Sequence, residues 1–201
     1  MTAPPLDLEK AASLLRDGGV IALPTDTLYA LVARIDDASA VRRIYAIKGR
    51  QEGKPLPVFV SSTAMAERIA VFNPMAHRLA ERFWPGGLTL VLPKRAGFAS
   101  LALAGGETVA VRWPDDDVCC AVIAALDEPV SATSANRSGE QDPVTAEEVR
   151  RQLGDDVDLV IDTGPAPVGV GSTIVDCSGE TPVILRRGAV SEADILAALR
   201  A

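Results

Sequence analysis

The sequence predicts an α/β domain with a mixed sheet and flanking helices. Short apolar runs of strand length recur along it, amphipathic stretches of helical spacing separate many of them, and the two kinds do not strictly alternate. A length of 201 residues suits one domain that buries most of its apolar surface. No internal repeat and no long linker divides it, so residues 1–201 are expected to form a single domain. Apolar residues make up 48% and charged residues 23%, an ordinary globular composition. Two Trp, two Tyr and four Phe leave the core to Ala, Val, Leu and Ile.

Taken in order, residues 6–17 place Leu6, Leu8, Ala11, Ala12, Leu14 and Leu15 at helical spacing before Gly18-Gly19. Residues 20–23 read as a buried strand stopped by Pro24, and a second apolar stretch runs to Val32 after Thr25-Asp26-Thr27. Asp36-Asp37 opens a helix through Lys48, Gly49 breaks it, and residues 55–60 form the next strand. Helices are predicted at about 64–70 and 74–83, then a Trp84-Pro85-Gly86-Gly87 turn feeding a strand at 88–92. Residues 94–107 are rich in Ala and Gly, lack periodicity and read as a mobile loop. A strand at 108–112 follows, then a helix start at Pro114 with Asp115, Asp116 and Asp117, where acids favour the helix dipole. Residues 130–133 are a strand, 134–139 a polar turn, and Thr145-Ala146-Glu147-Glu148 fits a capping box for a helix to Leu153. Strands at 159–161, 173–175 and 183–185 and a helix from Ser191 to Arg200 complete the chain.

Several function classes lack their signatures. No Walker loop, dinucleotide Gly-x-Gly-x-x-Gly, zinc pattern, hydrolase elbow or redox Cys-x-x-Cys occurs. Cys119, Cys120 and Cys177 offer neither a disulfide framework nor metal-ligand spacing, which fits a reducing compartment. With no signal peptide or run of membrane-spanning length, a cytoplasmic location is expected. The sequon Asn136-Arg137-Ser138 is read as a false positive on the same ground. The only histidine, His77, lies within a helical stretch with nothing nearby in sequence to orient it, and reads as a helix-surface residue. A formal charge of −7 argues against a general nucleic-acid binder and leaves direct tRNA binding weak.

Against that acidic background, five cations and one anion lie between Arg42 and Lys54. Lys48, Arg50 and Lys54 fall on an irregular segment between two apolar elements, placed to hold a polyanion such as a nucleotide triphosphate; a solvated basic loop is the plain alternative. Polar residues also recur where other strands end: Thr25, Asp26 and Thr27; Thr108 and Arg112; Ser134 and Asn136; Ser172 and Thr173; Arg186 and Arg187. Each alone reads as turn chemistry or a solvated strand end. Together they predict one convergent site, because ligands of open α/β sheets sit beyond strand ends.

Seven blocks resemble the YrdC-like family, in family order over roughly residues 6 to 190. They are Pro24-Thr25-Asp26-Thr27-Leu28-Tyr29-Ala30; Lys48-Gly49-Arg50 with Lys54-Pro55-Leu56; Trp84-Pro85-Gly86-Gly87-Leu88-Thr89-Leu90; Thr108-Val109-Ala110-Val111-Arg112; Ser134-Ala135-Asn136-Arg137-Ser138-Gly139; Gly171-Ser172-Thr173-Ile174-Val175-Asp176; and Ile184-Leu185-Arg186-Arg187-Gly188-Ala189. The resemblance implies a twisted α/β sheet around a basic concave pocket, in the short form without an extra C-terminal domain. It implies a threonylcarbamoyl-adenylate synthase, which joins L-threonine, bicarbonate and ATP, releases pyrophosphate and serves the t6A modification of tRNA position 37. It further implies a t6A transferase complex downstream.

By position, the resemblance assigns ATP binding to Lys48, Arg50, Lys54, Thr108, Ser134, Asn136 and Arg186, with Lys48 and Arg50 catalytic. It assigns threonine binding to Thr27, Arg112, Ala132 and Ser172. Phe59 departs from the pattern where many members carry a histidine near the threonine; Gln51 and Gly87 replace frequent prolines, and Ala30 a frequent glycine. No acid cluster would cage a metal, so Mg2+ is expected through the phosphates and water rather than at a protein site. Two other readings compete: a non-catalytic module that binds RNA or the ribosome, and a carbamoyl-adenylate-forming relative with another acceptor.

Overall fold

A computed structural model describes residues 8–200. Nine strands form one mixed sheet in the order β7-β1-β2-β6-β3-β5-β4-β8-β9. The helix α1 (Leu8–Arg16) precedes the antiparallel pair β1 (Ile21–Leu23) and β2 (Ala30–Arg34), and α2 (Ala38–Lys48) follows. Asp37 caps α2 by accepting from the N–H groups of Ser39 and Ala40. Gly49, at φ 62°, ends it in the left-handed region, where a residue without Cβ is unstrained. That turn puts Lys48 against the body and throws Arg50 into the loop beyond.

The strand predicted at 55–60 shrinks to β3 (Val58–Phe59). Pro55 and Pro57 bring no N–H to a ladder, so only the middle can pair on both sides. The helix predicted at about 64–70 ends early as α3 (Thr63–Glu67), because Ala70 leaves to bridge Lys94. After α4 (Pro74–Phe83), β4 (Leu88–Pro93) pairs antiparallel with β5 (Thr108–Arg112).

The intervening 94–107 segment is better tied down than its composition suggests. Lys94 and Glu107 form an ion pair at 3.2 Å, and Ser100 Oγ donates to Ile35 O at 2.5 Å. Ala102 and Leu103 are buried, and the Ala102 carbonyl accepts from Leu56 N–H at 2.8 Å. This stretch is therefore a support beneath the basic loop.

Asp116 caps α5 (Asp117–Leu126), and β6 (Val130–Ser134) runs antiparallel between β2 and β3. The predicted capping box at α6 (Ala146–Leu153) is formed in both directions, Thr145 with Glu148. β7 (Leu159–Val160) closes one edge beside β1; β8 (Thr173–Asp176) and β9 (Val183–Arg186) close the other. The helix α7 (Glu192–Arg200) ends the chain's described part, with Ser191 Oγ accepting from Asp194 N–H. The apolar core is continuous from Ala11 to Ile195 and draws on both ends of the described chain. Leu6 and the residues ahead of it, including the expected helix start, lie outside the described residues.

Candidate functional site

Side chains alternate across a strand, so Thr89 and Val91 on β4, Ala110 and Arg112 on β5, and Ala132 and Ser134 on β6 share one face. That face forms the floor of a recess of about 420 Å³, walled by Thr27, Leu28, Arg50, Phe59, Ser172, Leu185 and Arg186 among others. A second recess of about 530 Å³ adjoins it, lined by Lys48, Arg50, Lys54, Ser134 and Asn136. Arg50, Thr133, Ser134 and Asp142 line both.

Arg112 is the best-held charge in the first recess. Its Nη2 pairs with Asp26 Oδ1 at 2.5 Å, its Nη1 donates to Thr27 Oγ1 at 2.7 Å, and its Nε donates to Gly86 O at 3.0 Å. A guanidinium has five N–H donors, so two remain for a ligand. Its carbon lies 5.5 Å from the centre of the Phe59 ring, which fixes the guanidinium plane from one side. Burial pulls its pKa down, and Asp26 opposes that shift. Asp26 also accepts from Asp115 N–H at 3.1 Å, and so ties the first loop to the start of α5. Thr25 Oγ1 accepts from the N–H groups of Thr27 and Leu28 and donates to Leu28 O, which sets the 25–28 turn that presents Thr27.

Lys48 lies in the wall of the second recess but is buried. Its ammonium donates to Ser134 O at 2.6 Å, Asn136 O at 2.7 Å and Asn136 Oδ1 at 2.9 Å, which uses all three donors. Burial lowers its pKa to about 8, against the pull of Asp142. Asn136 Nδ2 donates to Glu140 O at 2.8 Å, and Ser134 Oγ donates to Asn136 Oδ1 at 2.6 Å. Lys48 thus shapes the 134–136 turn from within, and Asn136 is engaged inside that turn.

Arg50 is open to both recesses. Its Nη2 donates to Pro55 O at 3.1 Å, and its Nε is buried with no partner, which leaves a charged donor in need of an acceptor. Lys54 is exposed on the rim of the second recess. Arg186 Nε and Nη2 donate to Ser172 O at 3.0 and 2.8 Å, and Nη2 also reaches Ser172 Oγ at 3.1 Å. Gly188 makes this possible: an added Cβ would stand 2.2 Å from Gly171 O and 2.6 Å from Ser172 C. Ala132 is buried on the floor, its N–H donating to Pro57 O at 2.8 Å.

Thr108 stands apart from the other expected residues. It shares the face of Ala110 and Arg112 but lies four residues before Arg112, about 13 Å along the strand, exposed and in the wall of neither recess. His77 lies on α4 against Phe72, with ring centroids 5.2 Å apart. Sequence reasoning did not select Thr89 or Asp142 as site residues; Asp26 stood among the polar residues at strand ends but was given no role, and its place between two threonines after a strand was its local signal. Gly87, in place of a frequent proline, is explained by packing: a Cβ there would lie 2.6 Å from that of Ala189.

Residues 13–188 match the Sua5_yciO_yrdC family, described as "Telomere recombination". The chain belongs to this family. It is 39% identical over 194 residues to the threonylcarbamoyl-AMP synthase of Bacillus subtilis, covering 96% of this chain and 56% of that protein. A crystal structure of Sua5 from Pyrococcus abyssi complexed with L-threonine superposes with a TM-score of 0.91 at 38% identity, covering 95% of this chain and 56% of that one. YciO of E. coli gives a TM-score of 0.83 at 29% identity and is covered over 90% of its length, with 92% of this chain. This Sua5–YciO–YrdC chain thus spans about half the length of the first two relatives and nearly all of the third.

Proposed function

We propose that the chain is a threonylcarbamoyl-AMP synthase, using L-threonine, bicarbonate or CO2 and MgATP. The observation that carries this reading is a single cup in which Arg112, with two free donors and two flanking threonine and serine hydroxyls, adjoins Arg50 and Arg186. One half suits an amino-acid carboxylate and the other a triphosphate.

Threonine's amine takes up CO2 and loses a proton to give a carbamate. The carbamate oxygen then attacks the α-phosphorus, an O–P bond forms, and the bond to the bridging oxygen breaks to release pyrophosphate. A carbamate is already an oxygen nucleophile, so no strong base is required at the site. The demand on the protein is charge cancellation and alignment. Arg112, Thr27 and Ser172 hold the amino acid against the floor at Ala132; Arg50, Arg186 and Lys54 neutralise the phosphates. Lys48 and Asn136 fix the turn that presents Ser134. Thr108, outside both recesses, is placed only for the outer end of a nucleotide lying along the face. Asp142 lines both recesses and Glu140 the second alone, too few carboxylates to cage a metal, a donor set that suits Mg2+ carried in on phosphates and water. The chain acts as one unit in the cytoplasm and hands its product to the t6A transferase complex.

Pyrophosphate release with ATP and bicarbonate, measured while the amino acid is varied, tests the reading. Dependence on threonine is expected; no turnover with any amino acid would sink it in favour of a binding module. Turnover with another acceptor would instead support the related carbamoyl-adenylate reading, which the Phe59 ring in the amino-acid half favours.

The buried ammonium gives a pH dependence. As pH rises through about 8, Lys48 loses its proton and one of its three bonds, and the 134–136 turn loosens. Activity should therefore fall on the alkaline side with a midpoint near 8, and a flat rate profile from about pH 7 to pH 9.5 would contradict this. Folding linkage runs the other way. Between about 8 and 10.5 the unfolded chain holds this proton and the folded chain does not, so this group adds stability as pH rises.

A further inference from the structure

We propose that Thr89 and Ser172 work as one hydroxyl relay that aims a single O–H donor at an anionic oxygen of the ligand, making Thr89 a substrate-positioning residue. The inference rests on the functional reading above only for the ligand's identity, an amino-acid carboxylate or its carbamate.

The two oxygens lie 2.8 Å apart although 83 residues separate them in sequence. β4 and β8 run parallel side by side with Thr89 opposite Ile174, so Ser172, two residues before Ile174, falls diagonally across from Thr89 on the same face. Both side chains are almost wholly withdrawn from solvent, at 1% and 6% exposure, yet both line the first recess. Polar groups placed this way are costly unless a partner arrives.

Proton counting gives the direction. Arg186 Nη2 can only donate, so Ser172 Oγ accepts from it at 3.1 Å. The two hydroxyls own two protons, and the bond between them uses one. Neither oxygen makes any other hydrogen bond among the described residues. Whichever hydroxyl donates to the other, the second proton is left to point into the recess. What it meets there must be an acceptor.

The neighbours narrow the choice. In the antiparallel β4–β5 ladder Leu90 lies opposite Val111, so Thr89 falls one rung on, beside Arg112. Thr89, Ser172 and Arg112 thus line the same recess, where a hydroxyl donor beside a guanidinium suits a carboxylate-type oxygen. Thr89 also stands between two of the three arginines of the cup, touching the Arg186 network through Ser172 and flanking Arg112 directly.

The test compares Thr89→Val, which keeps the shape and removes the hydroxyl, with Thr89→Ser, which keeps the hydroxyl. Thr89→Val should raise the threonine KM about 10-fold with kcat within about twofold, the scale of one lost hydrogen bond. Thr89→Ser should restore the wild-type value to within about twofold. Ser172→Ala should show the same KM rise, and the double variant should be little worse than either single one. A Thr89→Val enzyme with wild-type KM overturns the relay, as does a Thr89→Ser enzyme as impaired as Thr89→Val, which would assign the effect to methyl packing. Calorimetric titration with threonine separates this from the wider reading: wild-type protein that binds no threonine sinks the function, whereas wild-type binding left unchanged by Thr89→Val sinks the relay alone.

Discussion

Arg50→Ala is expected to lower the proposed threonine-dependent pyrophosphate release by about 10²–10³-fold, the scale of removing one preorganised charge from a developing transition state. The expectation follows from how Arg50 is presented. Gly49 turns the chain out of α2, the 94–107 segment supports the loop at Leu56, and Arg50 then faces both recesses with a buried Nε lacking an acceptor. That guanidinium makes one internal hydrogen bond, to Pro55 O, so its removal should leave the fold intact. The variant should therefore melt with the wild type while its rate collapses. Arg50→Lys keeps the charge without the planar fork and should recover only part of the rate. An alanine variant that releases pyrophosphate at a near-wild-type rate would remove Arg50 from the mechanism.

Asp26→Ala should have the largest effect on stability. Arg112 and Asp26 form a buried pair, with side-chain exposures of 4% and 11%. Removing the carboxylate leaves an uncompensated guanidinium among Thr27, Gly86 and the Phe59 ring. Breaking such a pair costs about 3–5 kcal/mol, a large share of the roughly 5–15 kcal/mol that holds a domain together. The N–H of Asp115 loses its acceptor in the same step. Urea unfolding reads the cost directly, and a midpoint shift worth less than about 1 kcal/mol would show that Arg112 finds other compensation. Asp26→Asn, which retains an acceptor oxygen, should lose less stability than alanine but still raise the threonine KM, because Arg112 would no longer be held at full charge complementarity.

The two effects differ in how readable they were beforehand. Arg50 lies in a run of cations after a helix-breaking glycine, a pattern that fits an anion site or a solvated basic loop, and only the polar residues at the other strand ends tip it toward a site. The strand cores, the Thr145 capping box and the gathering of polar residues at strand ends were legible for the same reason: each is written in a few adjacent residues. What Lys48 does was not legible. Its acceptors lie 86 and 88 residues away, so its letter code fits a phosphate ligand as well as a structural pin. Thr89 sits inside an apolar run whose alternation says only that it faces away from the core. Asp142 gained its place from the path of a polar turn. Local composition also misread the 94–107 segment, where small residues allow close packing beneath Leu56 and not only freedom. The lengths of α3 and β3 were set by a bridge and by prolines that a window average does not weigh.

The order of strands has a consequence for biosynthesis. The loop bearing Thr27 is made early, whereas Ser172 and Arg186 belong to β8 and β9, laid down last at the edge beside β4. A nascent polypeptide still on the ribosome therefore cannot close the cup until the residues through Arg186 have emerged. Translation products cut short before Arg186 would lack one of the three arginines that line the first recess, and the cup would stay open on that side until they were degraded.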